Sequence, residues 1–218
     1  MLEKTLKIKS LTLVAIGEFN PVMYQPYWLA LKKFIRDTDA ADAKIQVIHN
    51  EVVKYALEIG EIEITKNRFS LTTSNISHFE PLRDLLISIF TAIEAPVTAL
   101  GINHIFHCAI EDKDLYYKFG DTLSPLNNWK TKLTDPRLLQ LEILENTRND
   151  KYSGLYRIKI QPSQSIPTSQ YGVSIDINDH YNLKKDDSIC DFLWKNWGNS
   201  LKLAEDITES LFEKVNIK

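Results

Sequence analysis

"VTALGINHIFHCAI", residues 97–110, is the stretch on which the fold turns. Its β-branched residues, its Gly101 and its lack of a 3.6-residue apolar period predict a long strand. Alternate side chains of a strand face opposite ways. One face then carries Thr98, Leu100, Ile102, His104, Phe106, Cys108 and Ile110; the other carries Ala99, Gly101, Asn103, Ile105, His107 and Ala109. His104 and His107 fall on opposite sides and cannot share a metal. A helix would align the two rings at i, i+3 and allow a zinc site, but the residue types oppose a helix. Cys108 shares the face of His104, as a thiolate–imidazolium pair would require. Its apolar neighbours instead predict an inert buried thiol with a raised pKa, beside a core histidine with one ring nitrogen satisfied. Paired CxxC and HExxH patterns are absent, and no metal or cofactor is expected.

Upstream, "LKIKSLTLVAIG" (6–17) reads as a strand and "EFNPVMYQP" (18–26) as a connector in which Pro21 and Pro26 deny helix. Trp28, Leu31 and Ile35 then predict a helix over 27–36, ended by "DTDAADA". "KIQVI" (44–48) is the next strand. Residues 55–74 read as two alternating runs joined by a tight turn at Lys66-Asn67. A buried helix over 80–93 follows, with Leu82, Leu85, Leu86, Ile89 and Ile93 on one face and Pro81 in its first turn.

Downstream of 110 the order recurs: a short helix (112–120), a connector (121–136), and three alternating runs, "RLLQLEIL", "GLYRIKIQ" and "YGVSIDIN". A long helix over 188–215 follows, its buried stripe marked by Ile189, Leu193, Trp197, Ala204, Leu211 and Val215. Gly198 inside that helix predicts a close contact or a kink. The fold expected is α+β: two β-α-β-β-β-α halves, 1–96 and 97–218, integrated into one domain. Their strands form a curved antiparallel sheet with helices on one side. The outline resembles the double-repeat saddle of TATA-binding-like folds.

Charge and motifs exclude several functions. With 26 basic and 29 acidic residues the net charge is −3, which argues against nucleic acid as a partner. The apolar run near residues 11–16 follows Lys4, Lys7 and Lys9 and is too short for a leader, and no window reaches the ~20 apolar residues of a membrane span. A cytoplasmic location without membrane contact is expected, with Cys108 and Cys190 as reduced thiols. GxxxxGK[ST], GxGxxG and GxSxG are all missing.

Three places remain as candidate sites. The connector 19–28 packs Phe19, Met23, Tyr24 and Tyr27 together, the residue types that anchor protein interfaces. The polar face of the second half carries Asn103, His107, Arg157, Lys159, Ser174 and Asp176, of which Asn103, His107, Arg157 and Asp176 are the candidate ligand face. "DINDHYNLKKDD" (176–187) gathers Asp176, Asn178, Asp179 and His180 near a strand end, the donor types of a hard-cation site but without a calcium-loop spacing.

Several phrases resemble an uncharacterised, sporadically distributed bacterial family. "GINHIFH" (101–107) is similar to a "GLRYxNRI"-like strand, with histidines in the region of its arginines. "VSIDINDHYNL…ICDFLWKNWGNSLKLAEDITESLFEKV" is similar to its closing strand and helix, matching at Ile175, Asp176, Ile177, Leu193, Trp197, Ile207 and Leu211. "GEFNPVMYQPYWLALKKFI" is similar to proteins of mobile-element neighbourhoods. The resemblance implies an accessory role in phage defence, a toxin–antitoxin pair or immunity. Together these readings predict a non-catalytic interaction component that binds a protein partner or its own copy. A small-ligand sensor on the polar face, or nucleic-acid binding through a saddle-shaped sheet, is the alternative.

Overall fold

The computed structural model describes residues 5–93, 95–148, 150, 152–167, 171–184 and 187–215. Nine antiparallel strands form one sheet: β1 (Leu6–Gly17), β2 (Lys44–Ile48), β3 (Val52–Leu57), β4 (Gly60–Thr65), β5 (Arg68–Thr73), β6 (Val97–Ala109), β7 (Leu141–Glu145), β8 (Gly154–Pro162) and β9 (Gly172–Asn182). Their order across the sheet is β2-β3-β4-β5-β1-β6-β9-β8-β7. The helices are α1 (Pro26–Leu31), α2 (Asp37–Ala41), α3 (Phe79–Ala92), α4 (Lys113–Leu123), α5 (Asn127–Lys130) and α6 (Ile189–Glu213).

The 97–110 stretch is the centre of this arrangement. As β6 it pairs with β1 on one side, Leu11 opposite His104, and with β9 on the other, His104 opposite Ile177. Because register couples the alternation of neighbouring strands, the parity of β6 assigns the faces of the strands that pair in unbroken register, with shifts near the ends of β1 and within β2 as the exceptions. Leu11 and Leu13 of β1, Leu100, Ile102 and Phe106 of β6, and Ile175 and Ile177 of β9 point to one side. All the helices whose side chains enter the core pack there. One apolar cluster sits beneath the first-half helices and the start of α6; a second sits beneath α4 and the end of α6.

Between these clusters runs an oblique polar seam. The residues of α6 at 196, 200, 204 and 208 are Asn, Ser, Ala and Thr, all buried, so the helix lays a small, polar stripe on the sheet. Small side chains let the axis approach, and the polar ones need partners. Ser200 Oγ meets His104 Nε2 at 3.0 Å, Thr208 donates to the Ala204 carbonyl, and Asn196 donates to that of Phe192. Lys9, buried between the Phe79 and Phe106 rings, reaches Glu205 of α6 at 2.5 Å.

Several elements depart from the sequence reading. The first half has four strands after its helices, because "VVKYALEIGEIEIT" folds back on itself at Glu58-Ile59. Gly60 allows this fold-back, since a side chain there would meet the Thr72 carbonyl oxygen. The two halves therefore do not follow one β-α-β-β-β-α formula. The predicted helix 27–36 stops at Leu31, where Lys33 turns left-handed with φ 64°, and 37–41 starts a separate helical turn. β7 begins only at Leu141, and β9 continues to Asn182, so Asp176 lies mid-strand and not near a strand end. Gly198 is exposed with open space around it, so the close contact expected there is not made, and the helix runs on from Ile189 to Glu213 without a break.

Candidate functional site

Among the described residues, no helix covers the central part of the sheet face that carries Thr12, Asn103, Asp176 and Asn178. Its centre holds a cavity of about 590 Å³ lined from five adjacent strands: Arg68 of β5, Thr12, Val14 and Ile16 of β1, Gly101, Asn103 and Ile105 of β6, Asp176, Asn178 and His180 of β9, and Arg157 and Lys159 of β8. Adjacent strands lie ~4.8 Å apart, so the lining spans on the order of 19 Å. The floor is an amide pair. Asn178 Nδ2 donates to Asn103 Oδ1, and Asn103 Nδ2 donates to the Thr12 carbonyl at 3.0 Å. Gly101 keeps space open beside it, since a methyl group there would sit 3.3 Å from Asn103 Nδ2.

The rim carries the charge. On β8, Arg157 is held by Glu142 of β7, while Lys159 forms no ion pair among the described residues. Arg68, across the cavity, forms none either. Asp176 accepts from Ser174 Oγ at 2.7 Å, and farther out on β3 and β4 Lys54 bridges Glu61 and Glu63. No Trp, Tyr or Phe lines the cavity.

Of the four residues assigned to the ligand face, Asn103, Arg157 and Asp176 meet here. His107 does not. It shares the face but lies in a neighbouring groove with Ser10, Ser74 and Asn75, where its Nδ1 meets Ser163 Oγ at 2.8 Å. The 163–167 loop folds over this end of the sheet, and Gly172 leaves room for Ile166, which any side chain there would strike. Burial lowers the His107 pKa against the opposing pull of Asp176. The sequence reading missed Arg68 and Thr12 as members of the site and placed Asn178 in the separate 176–180 run. Their signal was available in alternation alone, once β5 and β1 were aligned on β6.

The aromatic connector divides. Tyr24 is 2% exposed and stacks edge-on against Phe19, Trp28 and Phe69, while its carbonyl accepts from Tyr55 Oη at 2.7 Å. Phe19 is buried in the same cluster. These two rings are core and cannot anchor a partner, because Pro21 and Pro26 turn the connector inward across the sheet. Met23 and Tyr27 remain exposed, Tyr27 at 67%.

The chemically capable side chains of the helix-side face are sealed. His104 is 1% exposed, and burial, aided by the charge of Lys9, pushes its pKa down to about 3. Burial raises the Cys108 thiol to about 12 despite a hydrogen bond from Thr5, and both Cys108 and Cys190 are free thiols. The Asp176–His180 run is split: Asp176, Asn178 and His180 face the open side, and Asp179 faces the helices. Asp179 is taken by Arg148, whose guanidinium also grips Asp150 and stacks on Tyr156 and Tyr181. Burial works against the charge on Arg148, but hydrogen bonds to Asp150 and Asp179 outweigh it and raise its pKa.

Among the described residues no helix is long and apolar enough to cross a membrane. No protein-family model matches the chain, and a search of curated proteins finds no match.

Proposed function

We propose that this chain is a non-catalytic interaction component whose open sheet face receives an acidic segment of a partner protein. The observation that carries the reading is the placement of two cations that form no direct ion pair among the described residues, Arg68 and Lys159, at the two ends of a cavity with a hydrogen-bonding amide floor, although Lys159 feels the charge of Glu142 across the strand pair. An acidic, extended segment supplies both the charge and the carbonyl and amide groups such a floor can bond. Nucleic acid fits less well: the cavity offers no Trp, Tyr or Phe for base stacking and only the His180 imidazole on its open side, and Asp176 with the Glu61–Glu63 rim breaks any basic stripe. The sealed state of His104, Ser200 and Cys108 supports a binding role over a catalytic one. The family resemblance supplies a setting, an accessory subunit of a bacterial defence or immunity system acting in the cytoplasm.

A small-anion sensor is the second reading, favoured by a cavity volume within the ~300–1,000 Å³ range of small-molecule sites. A titration with a poly-glutamate decapeptide, a small dicarboxylate and a single-stranded oligonucleotide, followed by amide NMR shifts, separates the three. Peptide-induced shifts centred on Asn103, Asn178 and Lys159, abolished in Arg68→Glu/Lys159→Glu, support the proposal. Binding of the dicarboxylate alone, or of the oligonucleotide alone, overturns it.

A further inference from the structure

We propose that a cavity between α4 and the β8–β9 end of the sheet binds a free α-amino acid with a large apolar side chain. The cavity lies on the helix side, away from the open face, and measures about 350 Å³. That is the small end of the ~300–1,000 Å³ range of small-molecule sites. Its floor is apolar and buried: Phe119 of α4, Ile160 of β8 and Val173 of β9, all members of the second core cluster. Tyr116 and Tyr117 form one wall, and Leu138 and Leu139 line the other side. Leu139 is 78% exposed, so the mouth stays open to solvent.

Two features keep this space open and shaped. Gly120 lines the cavity from inside α4, where glycine is unfavourable. A Cβ there would come no closer than 3.4 Å to a neighbour, Leu138, so packing does not demand the glycine; its missing side chain leaves room in the cavity. Tyr171 is held left-handed at φ 46°, a strained conformation for a bulky residue, and its ring lies 5.7 Å from that of Tyr116, bracing the wall.

The charges at the mouth select the ligand. Gln161 lies on the wall, but alternation with Ile160 turns its side chain to the other face, which leaves Arg137 and Asp121 as the charged groups of the lining. Arg137 is fixed over the Tyr117 ring, 3.9 Å from its centroid, and by Asp135 at 2.7 Å. Its Nη1 stands 3.9 Å from Asp121 Oδ2, and Lys130 Nζ stands 4.0 Å from the same oxygen; neither contact is a hydrogen bond. A cation and an anion therefore sit side by side with hydrogen-bonding capacity to spare. A monoanion entering here would meet Asp121, a monocation would meet Arg137, and an uncharged molecule would leave both unused. An α-amino acid carries a carboxylate and an ammonium on one carbon. The carboxylate accepts from Arg137, the ammonium donates to Asp121, and the apolar side chain covers the floor.

Amide NMR titration of the full chain with L-phenylalanine and L-leucine tests this against three analogues that each lack one part. 3-Phenylpropionate has no ammonium, 2-phenylethylamine has no carboxylate, and L-alanine has no large side chain. Saturable shifts at Gly120, Leu138 and Val173, with every analogue bound about tenfold or more weakly than the better amino acid, support the proposal. No saturable shift with either amino acid up to millimolar concentration, or an analogue bound as tightly as the better one, overturns it. Arg137→Gln and Asp121→Asn should each weaken binding by about tenfold or more, and full affinity in both variants would overturn the charge assignment. Gly120→Leu, whose side chain occupies the cavity, should abolish the shifts while its melting temperature shows a folded chain. Should that variant fail to fold, the analogue series on the unaltered chain decides. None of these outcomes depends on what the open face binds.

Discussion

His104 should make this fold acid-sensitive well above the pH at which carboxylates titrate. In the unfolded chain its imidazole takes up a proton with a pKa near 6.5. In the folded chain, burial beneath α6 and the charge of Lys9 hold that value down to about 3. The stabilising effect of a neutral His104 is thus complete above pH 6.5 and is lost as the pH falls toward 3. At pH 5 the unfolded state is favoured by about 2 kcal/mol relative to pH 8, and below pH 3 by about 5 kcal/mol. Urea unfolding at stepped pH values measures this directly. The informative comparison is His104→Gln, which keeps a polar partner for Ser200 but does not titrate in this range. That variant starts less stable at pH 8, by about 1 kcal/mol for an imperfect fit, yet its stability should fall by about 2 kcal/mol less between pH 8 and pH 5. His107, whose pKa burial also lowers, contributes to both proteins equally and cancels. Equal pH slopes for wild type and His104→Gln would refute the burial argument for this residue.

Other expectations follow from named contacts. Arg148→Met strands Asp179 beneath the helices and should cost about 3–5 kcal/mol in denaturant unfolding, part of it regained in Arg148→Met/Asp179→Asn. Gly198→Ala should stabilise by about 0.5–1 kcal/mol, because the glycine is exposed, helical and has open space around it; a loss in calorimetry would reveal a contact missing from this account. Tyr24→Ala should lower the melting temperature sharply, with a cost of about 3 kcal/mol or more, while Tyr27→Ala leaves it nearly unchanged. Equal effects of the two would mean that the connector is not divided as described.

The parity of β6 was legible because a thirteen-residue strand has one pattern and one alternative, and Gly101 with its β-branched neighbours rejects the helix. The split of His104 from His107, and the inertness of Cys108, followed from that parity alone. Elements whose form depends on distant atoms were less legible. β3 and β4 read as one run because Glu58-Ile59 carries no Asn-Gly signal; the glycine that marks the fold-back follows the turn and answers to Thr72 in β5. Tyr24 looked like an interface anchor because composition cannot tell an aromatic loop that faces out from one folded over a sheet. Arg148 had no sequence signal at all, since its partners Asp179, Tyr156 and Tyr181 converge only through β8–β9 pairing. Two of the open-face residues missed, Arg68 and Thr12, belong to the first half. They were missed because the halves were read separately, before β1 was placed between β5 and β6.

The central claim is that the open face, and not the aromatic connector, is the binding surface. Amide NMR of the full chain with the poly-glutamate decapeptide tests it most directly. The account predicts shifts confined to Arg68, Asn103, Asn178 and Lys159 and their strand neighbours, weakening with salt and absent in Arg68→Glu/Lys159→Glu. Shifts clustered instead around Met23 and Tyr27, with the sheet face silent, would contradict it.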